Sequence, residues 1–116
     1  MKDEDCEGLQ GLLQAVRRFN AARRWQAFHS PKNLAMALCV EAAELLEHFQ
    51  WLTEEESRKL PETKTAKVRE ELADVLIYLV NLSDQLDIDL LTAAQDKIML
   101  NERASGNALK YSELDD

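Results

Sequence analysis

The sequence predicts an all-α fold, a bundle of four to five helices in which one long antiparallel pair holds the functional groups. Three observations predict it. Only three Gly and two Pro occur in 116 residues, which leaves little turn chemistry. Ala, Leu, Glu, Lys and Gln, all good helix formers, are abundant. Apolar residues recur at spacings of three and four, and no stretch alternates long enough to propose a strand. No internal repeat or low-complexity linker interrupts the pattern, and a chain this short supports one core.

The first helix is expected from about Glu7 to Arg23, where Leu9, Leu12, Leu13, Val16 and Phe19 fall at helical spacing. A short aromatic connection, Trp25–Phe28–His29, follows it. Ser30 before Pro31 reads as an N-cap with Pro in the first turn. From there a second helix is predicted to about Leu52, with Leu34, Leu38, Leu45, Phe49 and Leu52 along one stripe. Thr53 with Glu56 fits a capping box and a short extra turn, which Pro61 interrupts. Thr63 or Thr65 can open the next long helix, which carries Val68, Leu72, Val75, Leu79, Leu82 and Leu86. Its middle, residues 75–80, is apolar all round, so it needs cover on several sides and subunit contacts are expected. Asp87 or Asp89 can cap a further helix through Leu90, Leu91, Ala94, Ile98 and Asn101, with Gly106 and Asn107 ending regular structure. The expected organisation is an acidic tail over residues 1–6, an all-α domain over 7–104 and a polar tail over 105–116.

Charge and composition exclude several function classes. Twenty-two acidic residues against 14 basic ones give a formal net charge of −8. That disfavours unaided binding of a nucleic-acid polymer or an anionic membrane. The longest apolar run, Leu34 to Val40, is far short of a bilayer span, and no secretory segment opens the chain. Cys6 and Cys39 form no disulfide framework. The expectation is a soluble, cytoplasmic, acidic domain. Arg17, Arg18, Arg23 and Arg24 read as a solvated face or subunit contact.

Four carboxylates interrupt the apolar stripes. Glu41 takes the next position after Leu34 and Leu38, and Glu44 lies one turn on. Asp74 splits the apolar block from Leu72 to Val80, with Glu71 three residues before it. Ionised carboxylates on a buried stripe are costly unless paired or bound to metal. If the two long helices pack antiparallel, Glu41 and Asp74 lie level, because their numbers average 57.5, as do those of Glu44 and Glu71. The connection has its own centre near residue 57, so that register is natural. Oxygen ligands without His or Cys suit Mg²⁺, with Mn²⁺ as a substitute. No Glu has a His three residues later, which counts against a di-iron site. Solvated helix faces often carry a single Glu-x-x-Glu; two such pairs in register on apolar faces point to metal. Glu54, Glu55, Glu56, Glu62 and Glu70 are read as solvated, and Glu47, one further turn along the metal face, is the doubtful case. A carboxylate not saturated by metal could take a water's proton; Glu44 is the first choice and Glu47 the second.

Glu41–Ala42–Ala43–Glu44, with Glu71–Leu72–Ala73–Asp74 after 26 intervening residues, resembles the Glu-x-x-Glu…Glu-x-x-Asp motif of the MazG-like all-α nucleoside triphosphate pyrophosphohydrolases. Residues 24–34, Phe49–Gln50–Trp51, residues 74–80 and residues 110–114 resemble the dCTP pyrophosphatase branch in particular. The likeness spans about residues 9 to 114. It implies a MazG-like bundle completed by oligomerisation, and Mg²⁺-dependent hydrolysis of a dNTP, dCTP or a modified dCTP first, to the monophosphate and pyrophosphate. It implies Glu41, Glu44, Glu71 and Asp74 as metal ligands. Trp25, Phe28, His29, Trp51 and Tyr78 match positions lining the base and sugar pocket, and Lys97 and Asn101 match a nucleotide-contacting Lys-x-x-x-Asn element. The resemblance also implies a homo-oligomer, a tetramer built as a dimer of dimers. Asn101 here leads into Glu102–Arg103–Ala104–Ser105–Gly106, where the family often has basic residues and Tyr-Pro. Two other readings stand beside this one: the same chemistry on dUTP or dATP, or a helical oligomer that binds nucleotide or protein without hydrolysis.

Overall fold

The computed structural model describes residues 7–23 and 29–107. Among them lie five helices and no strand: α1 (Gly8–Arg23), α2 (Pro31–Glu47), α3 (Glu54–Ser57), α4 (Glu62–Gln85) and α5 (Leu90–Asn107). Helices α2 and α4 form the long antiparallel pair, and α1 packs on α4 beside them. Trp25 and Phe28, Cys6 and the tail segments 1–6 and 108–116 lie outside the described residues.

Local chemistry sets most helix ends. The Ser30 hydroxyl accepts the Asn33 N–H, and Pro31 follows in the first turn of α2. At α3, Thr53 Oγ1 accepts from the Glu56 N–H, and the Glu56 carboxylate accepts from the Thr53 N–H at 2.8 Å. That reciprocal pair is the predicted capping box.

Two boundaries differ from expectation. Helix α2 ends at Glu47, five residues before Leu52. Its last turn tightens, with the N–H groups of His48 and Phe49 bonded to the carbonyls three residues back. The extended backbone that Thr53 needs as a cap, φ −75° and ψ 165°, requires the chain to leave the helix before it. Trp51 therefore stands in a turn and does not close the helix. Helix α4 opens at Glu62, behind an extended Pro61, and neither Thr63 nor Thr65 caps it. Thr65 lies inside the first turn, where its hydroxyl donates to the Pro61 carbonyl at 3.1 Å.

Between α4 and α5 the two candidate caps take separate roles. Asp87 adopts a left-handed φ of 54°. Its N–H bonds to the Asp84 carbonyl and that of Ile88 to the Ser83 carbonyl, which is a Schellman closure of α4. Asp89 then caps α5, accepting the Thr92 N–H at 3.0 Å. Helix α5 continues to Asn107, past residue 104.

The core is thin. Among the described residues, only Val16, Leu34, Val68 and Val80 are buried apolar side chains, with Asn81 buried beside them. Leu76 and Ile77 of the all-apolar α4 segment remain exposed, as do Leu72 before it and Met36, Val40 and Leu46 on α2. Every residue from Leu91 to Ser105 on α5 is exposed. Polar contacts fasten α1: the Arg17 guanidinium grips both oxygens of Asp84, and Asn20 donates to Asn81 at 2.5 Å. Arg23 lies over the Phe19 ring, 3.7 Å from its centroid. So two of the arginines read as a solvated face have partners. No helix among the described residues is long and apolar enough to cross a membrane.

Candidate metal centre and adjoining cavity

The α2–α4 pairing brings three of the four predicted carboxylates together. One oxygen from each of Glu41, Glu44 and Glu71 lies within 4.8 Å of the others, the only such cluster among the described residues. Antiparallel packing does this because Glu41 and Glu44 share a face of α2 one turn apart, and Glu71 meets them from α4. Asp74 is exposed and outside that triple. Three residues advance a helix by about 300°, which turns Asp74 roughly 60° away from Glu71 around α4. Its charge still reaches the cluster, for it raises the pKa of both Glu41 and Glu71.

The electrostatics of the cluster are those of like charges held together. Burial first, then the charges of Glu44 and Asp74, push the Glu41 carboxyl from its ordinary 4.5 to about 7. Glu71 is also raised, by burial and then by the charge of Glu44. Glu41 Oε2 and Glu71 Oε2 are buried with no hydrogen-bond partner. Buried carboxylate oxygens facing one another without donors are unfavourable until a cation joins them. The donor set is all oxygen, which fits Mg²⁺ or Mn²⁺.

One neighbour of this cluster was not anticipated. His48, the C-cap of α2, places Nε2 3.9 Å from Glu71 Oε1, with both side chains mostly buried. The sequence signal was available, because His48 lies four residues beyond Glu44 on the same helical face. Glu47 is exposed at the end of α2.

Beyond the carboxylates, Tyr78 continues the Glu71 face of α4, and Asn81 follows three residues on toward α1. There α1 and α4 enclose a cavity of about 510 Å³. Tyr78 and His29 line it, together with Leu12, Phe19, Asn20 and Asn81. By helix rise, Tyr78 sits about 10 Å from Glu71 along the axis. The structure thus brings His29 and Tyr78 to one cavity. Trp51, at 86% exposure, is not among its lining residues, nor are Lys97 and Asn101, which are exposed on α5. Asn20 and Asn81 were overlooked. The rule that exposed the carboxylates, a polar residue inside an apolar block, applies equally to Asn81.

Comparisons with known proteins agree with this architecture. Residues 36–114 match the MazG-like family. The dCTP pyrophosphatase 1 proteins of Mus musculus and Homo sapiens are each 40% identical over 114 residues, covering 88% of this chain and 67% of the relative. A solved pyrophosphatase from Archaeoglobus fulgidus is 42% identical with a TM-score of 0.78, covering 83% of this chain and 90% of that one.

Proposed function

The chain belongs to the MazG-like family, and on that footing we propose that it is a nucleoside triphosphate pyrophosphohydrolase. It converts a dNTP, with dCTP or a modified dCTP first, to the monophosphate and pyrophosphate. The relatives named for dCTP hydrolysis support the substrate class. The observation that carries the reading is the carboxylate triple with two buried, unpartnered oxygens.

Glu41, Glu44 and Glu71 would hold Mg²⁺, for which Mn²⁺ could substitute, with Asp74 completing the set from the rim. When bound, the metal supplies charge neutralisation for the phosphates and acidifies a coordinated water. The protein's own contribution begins with the two helices, which hold the carboxylates in place before substrate arrives. Glu44 is the first candidate to take the water's proton and Glu47 the second. Tyr78 and His29 offer flat walls for a base and sugar, joined in this proposal by Trp25, Phe28 and Trp51. Lys97 and Asn101 contact the nucleotide. Because they sit on α5, away from their own chain's carboxylates, the proposal includes a homo-oligomer in which a neighbour supplies that helix. A tetramer, as a dimer of dimers, is the assembly proposed. The exposed apolar residues of α2, α4 and α5 give such an assembly surface to bury. A cytoplasmic nucleotide-pool role, removing damaged or excess dNTPs, follows from the chemistry.

The test is a panel of canonical and modified dNTPs with Mg²⁺, scored for monophosphate and pyrophosphate. Release of dCMP and pyrophosphate from dCTP, lost in Glu41→Gln and Asp74→Asn at saturating Mg²⁺, is the expected result. Full turnover in either variant would remove the metal site from the proposal.

A further inference from the structure

Two asparagines are the unexplained polar groups of the α1–α4 cavity. Asn81 is only 5% exposed, in a wall that is otherwise largely apolar. Its Nδ2 donates to the Ile77 carbonyl at 3.1 Å, one turn back on α4. A backbone carbonyl only accepts, so this bond fixes which way the Asn81 amide faces. Its Oδ1 is left to face α1, where it accepts from Asn20 Nδ2 at 2.5 Å. That bond in turn fixes Asn20. With one of its N–H groups committed to Asn81, its Oδ1 is an acceptor whose direction is set by the chain Ile77–Asn81–Asn20.

We infer that Asn20 selects the base: its Oδ1 accepts a hydrogen bond from the exocyclic amino group of a cytosine and repels the keto oxygen of a uracil or thymine. The inference rests on the proposed nucleotide hydrolysis and deepens it. A fixed acceptor in a part-buried, apolar surround discriminates amino from keto because the wrong partner leaves two acceptors opposed. If Asn81 did not hold it, the Asn20 amide could turn over and offer its N–H groups to a keto base. Asn20 is thus the specificity-determining residue and Asn81 a positioning residue.

Titration calorimetry with dCMP and dUMP, which need no turnover, tests this on the full chain. Wild type is expected to bind dCMP at least about tenfold tighter than dUMP. Asn20→Leu and Asn81→Leu are each expected to bring the ratio within about twofold. A merely structural role for the pair would weaken both nucleotides alike and leave the ratio standing, which overturns the inference. So does a wild type without preference. Should the variants not fold, wild type alone decides. A 2-pyrimidinone nucleotide, with hydrogen at position 4, loses the bond but escapes the repulsion, and must rank between dCMP and dUMP. A rank equal to either sinks the idea. The two readings fail separately: a dCMP preference without dCTP turnover removes the hydrolase, and turnover without the preference removes the role of Asn20.

Discussion

Nε2 of His48 lies 3.9 Å from Oε1 of Glu71, across the gap between the end of α2 and the middle of α4. The imidazole packs beside a carboxylate whose other oxygen, Oε2, is buried without a partner. Packed there, it leaves Glu71 less room to swing away from Glu41 and Glu44. Groups that orient metal ligands in this way typically change affinity 10- to 100-fold when removed. His48→Ala is expected to raise the Mg²⁺ concentration for half-maximal activity by about tenfold while kcat at saturating Mg²⁺ changes little. An unchanged Mg²⁺ dependence would show that His48 only closes the helix.

Glu41→Gln separates stability from activity. The substitution keeps the shape of the side chain and removes a charge that burial and three carboxylates disfavour. Thermal melting without metal should move up by about 2–5 °C while dCTP turnover falls by about 10³-fold or more. Loss of both would mean that Glu41 holds the fold in some other way.

Stability without metal should depend on pH. Glu41 ionises near 4.5 in the unfolded chain and about 7 in the folded one. The folded state then binds the proton more tightly, so this group's contribution is fully present below pH 4.5 and is lost as pH rises through 7. In EDTA the melting temperature should decline across that window. At pH 8, Mg²⁺ at 100 times its dissociation constant should restore about 2.7 kcal/mol, or roughly 10 °C. A flat profile in EDTA would show that the carboxylates are not forced together.

The thin core makes one side chain decisive. Leu34 is 1% exposed, the most buried large residue among those described. Leu34→Ala should cost about 2–5 kcal/mol, enough to lower the melting temperature by 10 °C or more. Arg17→Ala removes an ion pair whose arginine is half exposed, and should cost about 1 kcal/mol or less.

Assembly can be tested from α5. Ile98 is 58% exposed on α5, where every residue from Leu91 to Ser105 is exposed. Sedimentation should give a multiple of 13.3 kDa, and Ile98→Asp should shift it to a smaller species. A wild-type mass near 13 kDa at micromolar concentration contradicts the oligomer.

Much of this was legible in the sequence because it is local. Ser30 before Pro31, Thr53 with Glu56, and Asp89 at the start of α5 each act on N–H groups within three residues. The level of the carboxylates was legible too, since antiparallel pairing depends only on counting outward from the turn. Counting gives height, however, and not azimuth, which is why Asp74 stands at the rim while Glu71 meets Glu41 and Glu44. The end of α2 depended on the backbone that the next cap requires. The roles of Asn20 and Asn81 depended on α1 and on which face of α4 it covers. Nothing in the apolar spacing of Leu91 and Ile98 says what lies against them, and among the described residues both stay more than half exposed.

The turn at Asp87 has a consequence for how such a protein can change over time. It closes α4 with backbone bonds among residues 82–88, and α5 begins again at Asp89 with its own cap. No side chain of the carboxylate cluster takes part. Substitutions along α5 can therefore accumulate without unsettling Glu41, Glu44 or Glu71.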